Sequence, residues 1–580
     1  MTRRAALLLL SLGVAACSGT IGLSGDGGVH DAAPPLGDAA LADAALADAA
    51  LTDAALTDAE AGDGEAGDSG TDGGLVIAPG PRSALFPVDW QPGFADAEGR
   101  FLQDYSYAGY RSRAAEPPTG DFAAVFPVTA DTTGQTDAAP AIASAIAAAA
   151  AAGGGIVFLP AGLYRLNSRI EVTDSQIVLR GAGPDQTKLL FQDSATGDGL
   201  YGLHFRGADY TEGNEIALVA EGAALDTSVR LASTAGLSVG DDIVIGFKIT
   251  DAFKVEHNAQ SYWYHIATDT WRGFFRRTVT AIDGATGTVH FQVPLRYAVK
   301  LRDGASLKRV TGYLTECGLE SLAVSNAIDF AAAWQSNQYS ALGFTNAKDC
   351  WVREVASFES PLHGPYHLRS HGLTITRCVR ITVMDTHLAR PQNRGGAGNG
   401  YLFHLSRSNE VLVRDSTARE ARHNFSINWD FGSSGNVFLR VLSTGGRGFD
   451  SLQNALDGVG WLGPSDFHHS LSIANLIDAS VIDDAWQCEN RRDTSTGAGP
   501  TGTWNVFWNN RTGGSGRLRS LQAGMGYVIG TQGLTVETAL VGTGAEGTAP
   551  VDYTEYLDGP ADLSPPSLYE EQLARRRSGG

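Results

Sequence analysis

Two short segments concentrate side chains able to move protons. In PSDFHHSLSI, residues 464–473, Asp466 stands two positions before the adjacent His468 and His469. In ARHNF, residues 421–425, Arg422 stands beside His423, and the whole chain holds only thirteen histidines. An imidazole, with a pKa of about 6.5, can take or give a proton near neutrality. These types match the needs of β-elimination from a uronic acid. Its C5 proton becomes removable once the neighbouring carboxylate is neutralised, a base then takes it, and an acid serves the leaving oxygen. The assignment is Arg422 as neutraliser, His423 as base, His468 or His469 as acid or clamp, and Asp466 as the group that orients an imidazole. Adjacent strand residues point to opposite faces, so His468 and His469 do not make a zinc pair and only one can face a groove. Alternation back from Ile473 and Leu471 turns His469 inward and His468 outward. His404, in YLFHLS, is read as structural.

The elements that position these groups are short and repetitive. ECGLESLAVS, DCWVREVASF, RCVRITVMDT, SNEVLVRDST, GNVFLRVLST and ANLIDASVID share one plan, a small polar residue at a turn followed by a strand. The turn residues are Cys317, Cys350, Cys378, Asn409, Asn436 and Asn475, spaced 33, 28, 31, 27 and 39. Uneven spacing fits a solenoid whose turns lengthen while its strands stay stacked. Asparagine suits such turns because its amide satisfies the backbone of the next coil. The three cysteines read as small buried residues replacing asparagine, close enough for one disulfide and lacking zinc-type spacing. Long turns at 386–400, 421–434, 445–470 and 484–515 would rise on one side and wall a groove. There Asn490, Arg491, Trp486, Trp504 and Trp508 are expected to bind substrate.

The first residues, MTRRAALLLLSLGVAACSGT, form an export signal too short to span a membrane. Val14-Ala15-Ala16-Cys17 resembles a lipobox, which makes Cys17 the expected site of lipid attachment and places the protein in a bacterial cell envelope, at the outer membrane. Residues 18–80 carry twelve acidic side chains and no Lys or Arg, around the repeat DAALADAALADAALTDAALTDAE. They read as a solvated, disordered tether. The net charge of −21 argues against nucleic acid as a partner.

The stretch TDAAPAIASAIAAAAAAGGGIVFLPAGLYRL, residues 136–166, holds a helix capped by Thr136 or Asp137, a glycine stop and a buried strand. It resembles the N-terminal cap of the pectate lyase superfamily, and RIEVTDSQIVLRGAG, residues 169–183, resembles that family's first coils. The resemblance implies an all-β, right-handed parallel β-helix with a capping helix. The succession ARHNF, GNVFL, SDFHHSLSIANLID, ENRRD and NVFWNN is similar to a subgroup linked to polysaccharide breakdown. It implies that Arg422, His423, Asp466, His468 and His469 face one groove. Two other templates fail: polygalacturonase motifs are absent apart from Asp483-Asp484, and Asp466 alone is thin support for a calcium site.

The expected organisation is a signal at 1–16, a tether at 17–80, a β-helix at 81–545 with a small β-module inserted at 216–302, and a tail at 546–580 whose short helix covers the last coil. The expected activity is cleavage of an acidic polysaccharide by β-elimination, by a monomer without a cofactor, Ca2+ being left open, and held to the membrane only through its lipid. The alternatives are a glycoside hydrolase using two of Asp430, Asp466, Asp483 and Asp484, or a non-catalytic glycan binder.

Overall fold

The computed structural model describes residues 80–119, 124–193, 200–336, 338–427, 429–539, 551–559 and 563–579. The signal, Cys17 and the acidic tether lie outside the described residues.

A helix over Ala139–Ala151 opens the solenoid and buries Ile142, Ile146 and Ala149 against the first coil. Asp137 supports its start, its carboxylate accepting from Ala139 N at 3.1 Å and from Asn167 N at 3.0 Å. Thr136 takes no part in the cap, because its N–H and hydroxyl are both bonded to Asp131. Gly153, Gly154 and Gly155 all have positive φ and turn the chain into the strand Gly155–Leu159.

From there the chain winds as a right-handed parallel β-helix. One face is a sheet of ten parallel strands, from Ile170–Val172 to Thr535–Glu537, with Tyr401–Ser406, His423–Ile427, Ser465–Phe467 and Ala485–Cys488 as successive neighbours. An eighteen-stranded sheet wraps the remaining faces. Apolar residues of both sheets meet inside the coil, where Phe403, Phe425 and Trp486 stack in file, with ring centroids 5.0 and 5.5 Å apart. Such stacking buries large rings and ties coils one and two steps apart, the Trp486 indole reaching Phe425 over the small Ser465 between them.

Buried asparagines lock that register. Asn436 donates its backbone and amide N–H groups to Asn475 Oδ1 at 3.1 and 2.9 Å, and Asn475 repeats the pattern on Asn505 at 2.9 and 2.8 Å. Gln522 ends the series as the acceptor for Asn505. Asn409 departs from the expected position, for it is bridged to Ser434 and not to Asn436. Its amide reaches sideways instead, accepting from Arg276 N and donating to Phe274 O and Gly432 O. Cys317 and Cys350 occupy the ladder in earlier coils, with Cys317 N directed at Cys350 Sγ across 3.4 Å. Cys317, Cys350, Cys378 and Cys488 are free thiols.

The interruption between cap and main coils is a seven-stranded antiparallel sheet running from Thr211 to Thr311, slightly wider than the sequence implies. It packs hard on the solenoid: Phe253, Trp263 and Phe274 share an apolar core with Phe431, Leu471 and Ile473 of the coils. A buried ion pair, Arg296 with Glu410 at 2.8 Å, adds a second attachment. The last helix, Leu568–Arg577, lies along the flank of the coils and leaves the final edge to the strand Tyr553–Glu555. Asp478, on a coil strand, accepts from Ser567 Oγ, Leu568 N and Tyr569 N and so holds the helix by its N-terminus.

Replacing Asn475 by Ala removes an acceptor that two buried donors of Asn436 use. It is expected to cost about 1–3 kcal/mol of stability, read by chemical denaturation, without loss of the fold.

Candidate active site

Three neighbouring strands of the ten-stranded sheet converge on one buried polar centre. Tyr401 and His423 begin adjacent strands in direct register, and Ser426 is paired with Asp466 on the next. Asp466 and His468 lie two residues apart on one side of their strand, with Phe467 between them turned into the core. His423 shares the alternation of the core residues Phe425 and Ile427. As the first residue of its strand it nevertheless reaches the centre, its Nδ1 3.5 Å from Asp466 Oδ2.

The hydrogen bonds define the proton on each imidazole. His468 Nδ1 stands 2.6 Å from Asp466 Oδ2, and a carboxylate accepts, so Nδ1 carries the hydrogen. His468 Nε2 is then an acceptor, facing the Tyr401 hydroxyl at 3.1 Å. His423 Nδ1 stands 2.6 Å from the Pro464 carbonyl, which fixes its hydrogen there in the same way. The lone pair of His423 is therefore on Nε2, which is buried and has no hydrogen-bond partner. Asp466 is completed by Ser426 Oγ, donating at 3.0 Å to the other carboxylate oxygen.

Two arginines surround the pair. Arg422 is fully buried, donates to Gly395 O at 2.8 Å and lies with its guanidinium 5.5 Å from the Tyr401 ring. Arg491 reaches in from its loop and donates to His468 O at 2.6 Å. Burial pushes both His423 and His468 well below the usual imidazole range; Arg422 lowers both further, as does Arg491 for His468. The Asp466 carboxylate pulls the other way without overcoming burial. Both rings are neutral at physiological pH.

Of the residues expected at the site, Arg422, His423, Asp466, His468 and Arg491 come together. His469 does not join them. Its Nδ1 faces Ser470 Oγ, its Nε2 faces Ser495 O, and its ring meets His265 of the inserted sheet at 4.1 Å and Trp429 at 4.3 Å. It is buried, as alternation implies, but under the inserted sheet, because Leu471 and Ile473 pack on that sheet and not inside the coil.

The expected tryptophan wall is absent from the site. Trp486 is 1% exposed and stacked on Phe425, since the small Ser465 paired beside it leaves room for the indole inside the coil. Trp508 belongs to the other sheet, where its Nε1 donates to Pro565 O at 3.0 Å. Trp504 is wedged between Phe101 and Tyr297. Asn490 shapes its own loop, accepting from Arg492 N and bridging to Pro500. Sequence reasoning missed Tyr401 and Trp429. Tyr401 shares the parity of Phe403 and Leu405 and so reads as core; its pairing with His423 is visible only once the coils are aligned.

His423, Asp466 and His468 also offer donor atoms that all lie within 4.8 Å of one another, a spacing a cation can bridge. One carboxylate and two imidazoles suit a zinc-like ion and not Ca2+, which takes six to eight oxygens. The 2.6 Å between Asp466 and His468 is a hydrogen-bond distance, so the carboxylate is engaged with the imidazole proton.

Residues 124–227 match the family model of rhamnogalacturonase A/epimerase, pectate lyase-like. No curated protein sequence matches the chain. Among solved structures it is similar to the tailspike gp61 of Pseudomonas phage phi297, at 13% identity and TM-score 0.45 over 73% of this chain and 76% of that one. It is also similar to the tailspike gp49 of Pseudomonas phage LKA1, at 13% identity and TM-score 0.37 over 68% and 69%. A hyperthermoactive exopolygalacturonase from Thermotoga maritima shares 11% identity at TM-score 0.27 over 73% and 77%. The scaffold is a parallel β-helix whose first coils are similar to a pectate-lyase-like family model.

Because folding keeps both imidazoles neutral, stability owed to His423 and His468 is present above about pH 6.5 and is lost as pH falls below it. Magnetic resonance of the two rings is expected to show no protonation at about pH 6, and a titration centred near 6.5 would contradict their burial.

Proposed function

We propose that the chain is an exported enzyme that cleaves an acidic polysaccharide by β-elimination, carried at the bacterial cell surface on a lipid attached to Cys17. The observation that carries the reading is His423, with Nδ1 pinned to Pro464 O and a buried, unpartnered lone pair on Nε2. A general base needs that state: neutral, oriented and not already satisfied. The match to a pectate-lyase-like family model supports a carbohydrate substrate.

In this mechanism His423 Nε2 takes the C5 proton of a uronic residue. The electrons form the new double bond as the carbon–oxygen bond β to the carboxylate breaks. The Tyr401 hydroxyl gives its proton to the leaving oxygen and is left as a phenolate, which regains a proton from solvent as His423 releases the one it took. Asp466 holds His468 in the tautomer whose Nε2 lone pair, 3.1 Å away, orients that hydroxyl. Arg422 and Arg491 favour the negative charge that builds on the substrate carboxylate, strongly so in a site poor in water. Hydrolysis by paired carboxylates has less support. Asp430 is paired with Arg272, Asp483 is bonded to Thr512 and Gly513, and Asp484 is buried among Asn424, Ser443 and Gly446, so each is already engaged elsewhere.

The test incubates the protein with a panel of uronic-acid polymers and follows the ultraviolet absorbance of unsaturated ends. Such ends are expected. New reducing ends without that absorbance would mean hydrolysis, binding without cleavage would mean a glycan binder, and loss of activity on chelation would move the centre to a metal. His423→Ala is expected to lower turnover by about 10²–10⁴-fold, with Tyr401→Phe in the same range and both variants folded. The acid limb of kcat/KM should fall below about pH 6.5, because protonating His423 removes its lone pair only after the cost of charging a buried ring is met.

A further inference from the structure

Beside the buried centre stand two large rings left in water, Trp429 at 45% exposure and Tyr264 at 56%. Trp429 lies with its ring 4.3 Å from that of His469 and 6.3 Å from that of His468, so it marks the solvent-facing side of the centre. It is held there. The next residue, Asp430, forms an ion pair with Arg272 of the inserted sheet at 3.0 Å, and Phe431 is buried in the core the sheet shares with the coils. Tyr264 comes from the inserted module itself. Its hydroxyl donates to Asp493 O at 3.5 Å, and a Cβ on Gly497 would come within 2.6 Å of its ring. Since His469 Nε2 meets Ser495 O, the Trp429–His469 pair and Tyr264 flank one loop, 493–497, just past Arg491.

We infer that Trp429 and Tyr264 form a sugar-stacking subsite, with Trp429 taking the pyranose ring next to the His423–His468 centre and the inserted module binding the polymer beyond it. The inference rests on the proposed action on an acidic polysaccharide. The apolar C–H face of a pyranose covers an indole or phenol ring and leaves its hydroxyls and carboxylate in water, which accounts for exposed rings in a built setting. Arg272 is then a positioning residue, acting on the substrate only through Asp430 and Trp429. The module, otherwise an interruption of the solenoid, becomes the wall that reads polymer length.

The experiment compares the full chain with Trp429→Ala, Trp429→Phe, Tyr264→Ala and Arg272→Ala on acidic oligosaccharides of increasing length. Affinity is also measured directly by calorimetry in a His423→Ala background. Trp429→Ala is expected to raise KM and Kd about tenfold on long substrates with kcat within about twofold, while Trp429→Phe keeps most of the affinity. Arg272→Ala should raise KM by less and leave the pH profile unmoved. Wild-type cleavage with KM and Kd unchanged in Trp429→Ala would overturn the subsite and spare the enzyme. A wild-type chain that neither binds nor cleaves any acidic polymer would overturn both.

Discussion

Every distance in the proposed centre is inherited from the register between stacked coils. Parallel strands lie about 4.8 Å apart, and only a fixed offset between neighbours brings Tyr401, His423 and Asp466 to the same point. A slip of one residue would send each side chain to the opposite face. The buried run from Asn436 through Asn475 to Asn505 prevents this, since each amide oxygen takes two donors from the coil before it and any offset would leave them unsatisfied. The file of Phe403, Phe425 and Trp486 adds the same constraint in apolar form.

Given that frame, the centre departs from what burial alone would allow. A carboxylate with no exposure is costly unless its oxygens are satisfied, and Asp466 meets the condition through Ser426 and His468. The two imidazoles escape the cost by staying neutral. His423 Nε2 is left with a buried lone pair that no protein hydrogen bond takes up. That atom sits beside Arg422, His468 and the Tyr401 ring, in company that suits a proton-transfer group.

Much of this was legible in the chain, and the failures have definite causes. The capping helix, the glycine stop and the repeating strands follow from local periodicity. The grouping of Arg422, His423, Asp466 and His468 follows from their places on neighbouring coils. Tryptophan was misread because residue type says nothing of which face a strand residue takes; Trp486 is interior because it pairs with the inward-facing Ser465, whose small side chain leaves it room. Asn409 was misread because a turn residue can serve either the next coil or a docked neighbour, and the inserted sheet, distant in sequence, claims it. Tyr401 stayed hidden because alternation holds along a strand but fails at its first residue.

The docking of the inserted sheet has a consequence for how the chain acquires its form. Successive coils bond across about one repeat, as Asn475 and Asn505 do across 30 residues, whereas Trp263 reaches Ala498 across 235. Contacts of long separation form late, because the intervening loop must close before they return anything. A chain growing from its N-terminus can stack each coil as it appears, yet the inserted sheet has no seat until residues 409–431 emerge and is complete only when residues near 500 follow. Through that interval its apolar face, with Phe274 and Trp263, waits uncovered and open to wrong partners. Maturation of this solenoid is thus gradual along its length and stepwise at its insertion, which docks in stages as its distant partners emerge.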